Sequence, residues 1–140
     1  MIVLDTNVVS ELMKPVPDPR VRDWLDQLAD ITLVTTAVTV AEIEYGLQRL
    51  PQGRRRADLA ASFEVMIGAL SVLPLDDVAA RYAGQMRARR EAAGLPGQAM
   101  DMLIAGIAAA AGASLATRNV ADFAELPVEV VNPWGEPRRR

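Results

Sequence analysis

The chain has 140 residues, 51% of them apolar and 24% charged, with a formal net charge of −3 and neither cysteine nor histidine. That length suits a single domain, residues 1–140, with a real core. The missing cysteines exclude a disulfide framework and thiolate chemistry, and with histidine absent too, any metal site must use oxygen ligands, which suit Mg²⁺ or Mn²⁺.

Ile2-Val3-Leu4 is a short apolar run ending at Asp5, a predicted first strand. Residues Asn7 to Met13 read as a helix that stops before Pro15, and Pro15, Pro17 and Pro19 form a stiff connector. Val21, Trp24, Leu25 and Leu28 then follow the i, i+3, i+4, i+7 spacing of an amphipathic helix. Ile31 to Thr35, rich in β-branched residues, is the second predicted strand. A helix from Thr39 to Leu50 follows, broken at Pro51-Gln52-Gly53, and another covers Arg54 to Ile67. Leu70 to Leu75 is a third strand, and Asp76 opens a long Arg-bearing helix that ends near Gly94. After the turn Leu95-Pro96-Gly97 comes an Ala-rich helix ending near Gly112, then strands at Ser114 to Thr117 and Val128 to Val131.

Strands alternating with helices imply a mostly parallel five-stranded sheet with helices on both faces, three αβα layers in all. Helices winding one way through strands one to three and the other way afterwards give the order 3-2-1-4-5. The switch point then falls between strands one and four, and ligands bind there, beyond the carboxyl ends of the strands. No basic n-region precedes the first strand, so no signal peptide is expected. The longest apolar stretch, Met102 to Ala113, is short of the ~20 residues that span a bilayer. The expectation is a cytoplasmic protein with no membrane partner.

Lys14 is the only lysine beside fourteen arginines, which cluster at Arg54-Arg55-Arg56, at Arg87, Arg89 and Arg90, and at Arg138-Arg139-Arg140. Arg forks match phosphate geometry, but such runs also form ordinary solvated helix faces and tails. Four acids stand at strand ends or helix starts: Asp5, Glu42, Asp101 and Asp122. Each has a structural role open to it. Asp5 can cap the helix after it; Thr39-Val40-Ala41-Glu42 has the form of a capping box; Asp101 lies in a first turn, where the macrodipole favours negative charge; Asn119-Val120-Ala121-Asp122 has the form of a weaker cap.

Capping does not require the acids to converge, however. Two carboxylates ~4 Å apart repel by up to ~4 kcal/mol at an effective dielectric of ~20, and a divalent cation removes that penalty while creating a charge that holds phosphate. Phosphodiester hydrolysis fits such a site. Phosphotransfer through an aspartyl nucleophile fits less well: Asn7 stands where a second Asp is wanted, and no lysine lies beyond Lys14. Nucleotide-binding glycine loops are missing. Glu44 competes with Glu42, but two positions along a helix it faces elsewhere. Asp76 and Asp77 read as a cap and a first-turn acid.

Ile2-Val3-Leu4-Asp5-Thr6-Asn7 resembles the opening of PIN-domain nucleases. Val40-Ala41-Glu42-Ile43, Asp101-Met102-Leu103-Ile104-Ala105, and Thr117-Arg118-Asn119 with Asp122-Phe123 resemble the family's later motifs. Asn132-Pro133-Trp134 is similar to the ending common among VapC-type and FitB-type toxins. The resemblance covers essentially the whole chain. It implies a three-layer αβα Rossmann-like fold and the toxin of a type II toxin–antitoxin module, a Mg²⁺- or Mn²⁺-dependent endoribonuclease acting on single-stranded RNA. Carried over by motif, Asp5, Glu42, Asp101 and Asp122 are the catalytic and metal-binding acids, with Thr6, Asn119 and Thr117 in support. The family's Pro-Ile pair before the third acid is replaced here by Pro96-Gly97-Gln98-Ala99-Met100. The resemblance also implies a VapB-like antitoxin partner and a homodimer. The alternative is a PIN-like RNA-binding or scaffold module with weak or no catalysis, and a metal-dependent phosphomonoesterase is a third reading.

Overall fold

The structure is a computed structural model that describes residues 1–135, so the Arg138-Arg139-Arg140 cluster lies outside the described residues. The elements run β1 (Ile2–Leu4), α1 (Thr6–Met13), α2 (Pro19–Asp26), β2 (Leu33–Thr36), α3 (Ala37–Arg49), α4 (Arg54–Ala69), β3 (Ser71–Leu73), α5 (Asp77–Ala92), α6 (Ala99–Ala110), β4 (Ser114–Ala116), a 3₁₀ turn over Val120–Phe123, and β5 (Val130–Val131). The sheet order is β3-β2-β1-β4-β5, as the alternation of strands and helices predicts. Every strand pair is parallel, so the sheet expected to be mostly parallel is wholly so.

Alternation across the strands sorts two cores. Val3, Val34 and Leu115 point to one face, where Met86 of α5, Ile104 and Ile107 of α6, and Phe123 pack. Leu4 and Ala116, each one residue further on, point to the other face, with Val8, Val9, Ile43, Phe63 and Trp134. These are the three layers. On the first face α6 lies almost on the α5 backbone: a Cβ at Gly106 would collide with the Ala79 carbonyl oxygen and sit 2.8 Å from the Ala83 nitrogen. Only glycine permits that approach.

Element ends differ from expectation where capping decides them. β2 runs on to Thr36, and α3 starts at Ala37 instead of Thr39. Thr36 is the N-cap, its hydroxyl accepting from the Thr39 amide at 3.0 Å. The Thr39–Glu42 capping box therefore does not form: Thr39 already sits inside the first turn, which leaves Glu42 out of reach of the helix start. Asp76 caps α5, accepting from the Ala79 amide at 2.9 Å, and Asp77 is the first-turn acid. β3 and β5 are shorter than predicted, because β3 has only β2 to pair with and β5 only β4. No helix among the described residues is long and apolar enough to cross a membrane.

Candidate active site

The site begins where β1 and β4 end side by side. The ladder continues past both strands: the Asp5 amide donates to the Ala116 carbonyl and the Thr117 amide to the Val131 carbonyl, each at 2.9 Å. Asp5 and Thr117 are thereby fixed as neighbours. Asp5 is the N-cap of α1, its Oδ1 accepting from the Thr6 amide at 2.8 Å. Its Oδ2 accepts from the Thr117 hydroxyl at 2.6 Å and from Asn7 Nδ2 at 3.2 Å. Capping is thus one of its roles and accounts for only one of these bonds. The residue is 4% exposed. Burial pushes its carboxyl above the usual aspartate range, the bonds from Thr117, Thr6 and Asn7 pull it back, and the charge of Asp122 raises it again.

Asn7 stitches the two strand tips together. Its Nδ2 also donates to Thr117 Oγ1 at 3.2 Å, and its Oδ1 accepts from the Arg118 amide at 3.1 Å. Arg118 stands over the Trp134 ring, 5.1 Å from its centroid, so the buried Trp134 braces this corner from below. Asn119 donates its amide to Thr117 Oγ1 at 3.1 Å. Its side chain makes no cap bond to the 3₁₀ turn that follows, so the cap expected there is formed by main chain alone.

Glu42 comes in from the second turn of α3. Its Oε1 accepts from the Thr6 hydroxyl at 2.8 Å. Thr6 Oγ1 also lies 3.2 Å from Thr39 Oγ1, and Thr39 lies 3.2 Å from Thr36 Oγ1. A charged acceptor wins the Thr6 proton, so this line of threonines ends on the glutamate and orients it. Glu44 is exposed and accepts from Gln48 Nε2 at 2.8 Å, on the outer face.

Asp101 lies in the first turn of α6 and Asp122 in the 3₁₀ turn, both half-buried. The Asp101 carboxyl is pushed up to about 6, first by burial and then by the charges of Asp5, Asp122 and Glu42, with Arg90 pulling the other way. Asp101 therefore feels the other three acids, and Asp5 feels Asp122. None of them is ion-paired among the described residues. Nor, among those residues, do three carboxylates stand close enough together to form a finished metal cage. The donor set nevertheless fits a hard divalent cation in kind: all oxygen, strongly negative, and without a competing cation at contact distance.

Several of these residues carried no signal in the sequence. Asn7 was legible as the end of the first motif and as a missing aspartate, Thr39 only as a possible cap, and Thr36 not at all. Arg90 was one member of a basic run, yet it is 2% exposed. The deeper grooves lie elsewhere. One, of about 640 Å³, is lined by Leu12, Leu25, Leu28, Met66 and Leu70; another, of about 730 Å³, by Met13, Val16 and Leu59 with Arg54 and Arg55. Neither is lined by any of the four acids.

Comparison with known proteins adds four findings. The family model for the PIN domain matches residues 2–129. The chain is 41% identical over 138 residues to VapC ribonuclease Y4jK of Sinorhizobium fredii, covering 96% of this chain and 98% of the relative. It is 36% identical over 137 residues to Toxin FitB of Neisseria gonorrhoeae, covering 96% and 99%. Among solved structures, that of FitAB bound to the IR36 DNA fragment superposes with a TM-score of 0.87 at 35% identity, over 100% of both chains.

Proposed function

Since the chain belongs to the PIN domain family, alongside the VapC- and FitB-type toxins, we propose that it is the endoribonuclease toxin of a type II toxin–antitoxin module, cutting single-stranded RNA with Mg²⁺ or Mn²⁺ in the cytoplasm. One observation carries the catalytic part of this reading. Burial, and after it the charges of Asp5, Asp122 and Glu42, raise the Asp101 carboxyl, at the switch point of a parallel sheet, with no counter-ion at contact distance among the described residues. A cluster left so unfavourable by itself is the cradle for a divalent cation.

Asp5, Glu42, Asp101 and Asp122 would hold the ion. When bound, a divalent cation supplies Lewis-acid charge that acidifies water and offsets the charge developing on phosphate. The chain's own residues do the rest. Thr117, Asn7 and the Thr6 amide fix both Asp5 oxygens, and the Thr6 hydroxyl fixes one oxygen of Glu42 and leaves the other open. Outer bonds of this kind set carboxylate orientation at metal sites. Burial, and after it the three neighbouring carboxylates, push the Asp101 carboxyl up to about 6 when no cation is present. With no histidine in the chain to activate a ribose 2′-OH, water is the nucleophile, and the products are a 5′-phosphate and a 3′-OH.

Incubation with a mixed RNA pool, with and without Mn²⁺, followed by end mapping, tests this. Cleavage that stops in EDTA and leaves 5′-phosphates supports it; 2′,3′-cyclic phosphate ends or full activity in chelator would overturn it. The alternative of an RNA-binding or scaffold module with little catalysis is favoured by one observation, the lack of a finished cage among the described residues. It predicts retention of RNA without cleavage in the same assay. The solved neighbour is a FitAB complex, and by likeness the partner here is a small antitoxin, with the toxin itself a homodimer. Expression alone should arrest growth, and co-expression of a small adjacent open reading frame should relieve the arrest and co-purify.

A further inference from the structure

Arg90, near the end of α5, is buried at 2% exposure and pairs with no carboxylate among the described residues. Its N–H groups go to main-chain carbonyls on two separate loops. Nε donates to Pro96 O at 2.7 Å, and Nη1 donates to Ala124 O at 2.8 Å and Ala121 O at 3.3 Å. Pro96 lies in the segment that leads into α6 and Asp101. Ala121 and Ala124 bracket Asp122 in the 3₁₀ turn. The first of these loops is also pressed onto α5: the Leu95 amide donates to the Arg90 carbonyl at 2.9 Å, and a Cβ at Gly97 would lie 2.9 Å from Arg87 Cγ.

We propose that Arg90 is a positioning residue for the acidic site, a buried fork that ties the loop before Asp101 to the turn carrying Asp122 and so sets the separation of those two acids. Burying an unpaired guanidinium is expensive. The carbonyl oxygens of both loops and the nearby excess of carboxylates offset that cost, and the charge of Arg90 in turn eases ionisation of Asp101. A lysine in its place keeps the charge but lacks the planar fork that reaches two loops at once. The metal-binding consequence rests on the function proposed above; the tie between the loops does not.

Two readouts separate the two. Hydrogen exchange at the Leu95, Met102, Asp122 and Ala124 amides reports the tie, and Mn²⁺ titration followed by thermal melts reports the site. In Arg90→Lys, exchange rises at both loops and Mn²⁺ affinity falls roughly 10–100-fold, the usual effect of losing an outer support of a metal site. Phe63→Leu, on the opposite core, lowers the melting temperature and leaves Mn²⁺ affinity unchanged, as does the exposed Arg89→Lys without the loss of stability. Gly97→Ala, which keeps Arg90, guards against a failure of Arg90→Lys to fold: it should raise exchange at Asp122 and Ala124 as well as at Leu95. Wild-type exchange at the Asp122 turn in both variants, or a change confined to residues 95–98, overturns the proposal. If wild type shows no Mn²⁺ response while the exchange of the two loops still rises together, the tie stands and the metal reading fails.

Discussion

The acids on the helix surfaces and the acids at the strand tips of this chain live under opposite rules. Asp58, Asp77 and Glu91 each stand one turn from an arginine and pair with it, and Asp18 pairs with Arg20. Bonds from Arg20 pull the Asp18 carboxyl down to about 2. At the ends of β1 and β4 the reverse holds. Asp101 is pushed up to about 6 by burial and by three neighbouring carboxylates, in a chain with fourteen arginines available. The one arginine buried nearby, Arg90, gives its N–H groups to carbonyls. Exposed pairs such as those on the helices contribute little to stability. The unpaired group is the informative one, because a charge cluster without a counter-ion is what the proposed divalent cation would neutralise.

The largest effect expected from this contrast lies on a single helix. Glu42→Gln removes one of the four site acids and should cost about 100-fold or more in cleavage, the scale set by loss of one transition-state electrostatic group. Glu44→Gln, two residues on and exposed, should leave most of the activity. Initial rates on two variants with matched circular dichroism settle it, and equal losses would mean that the two glutamates do not differ as described.

A smaller effect should follow from loosening a carboxylate without removing it. Thr117→Val deletes the 2.6 Å bond to Asp5. Mn²⁺ affinity and cleavage should both fall roughly 10–100-fold, and the thermal midpoint should drop because a buried acceptor loses a partner. Unchanged affinity in a Mn²⁺ titration would show that the threonine supports the fold alone.

The smallest effect is a difference in the sign of a pH slope. The folded-state value of Asp101 is raised from 3.8 to about 6, so the folded protein holds that proton more tightly than the unfolded chain. The stability it contributes is complete below about pH 3.8 and is lost as pH rises through about 6. Asp18 is lowered from 3.8 to about 2, so its contribution is present above about 3.8 and lost as pH falls toward 2. In chelator, wild type should therefore lose ground to Asp101→Asn between those limits on the rising side, whereas Asp18→Asn should fall below wild type only above about pH 3.8, and weakly, and converge with it as pH falls toward 2. Parallel melting curves across pH for wild type and Asp101→Asn would remove the repulsion on which the account depends.

The layers, the sheet order and the helix starts at Asp5 and Asp76 were legible because they follow from local rules: apolar periodicity, caps and the handedness of crossovers. The Thr39 capping box was not a safe reading, because tertiary pairing of β2 with β1 and β3 drew the strand on to Thr36 and moved the cap three residues back. Arg90 was invisible for a related reason. Within Arg87, Arg89 and Arg90 nothing local distinguishes the last, and its burial depends on loops that begin at Pro96 and Ala121. Asn7 was read for what it lacks, a second carboxylate, when its position between two parallel strand tips is what gives it partners. Side-chain networks across strand ends depend on which strands become neighbours, and they become readable only once the order is known.

The central claim, that a divalent cation takes the place of the missing counter-ion, is tested most directly by thermal melts of wild type and Asp5→Asn in chelator and in Mn²⁺. Asparagine caps a helix about as well as aspartate, so a purely structural Asp5 tolerates the change in either condition. The account predicts that in chelator the variant melts at or above wild type, because one repelling charge is gone. Mn²⁺ should then stabilise wild type, by ~2.7 kcal/mol at a hundredfold excess over Kd, and the variant much less. Equal shifts in both proteins would show that Asp5 is not a ligand and would contradict the account.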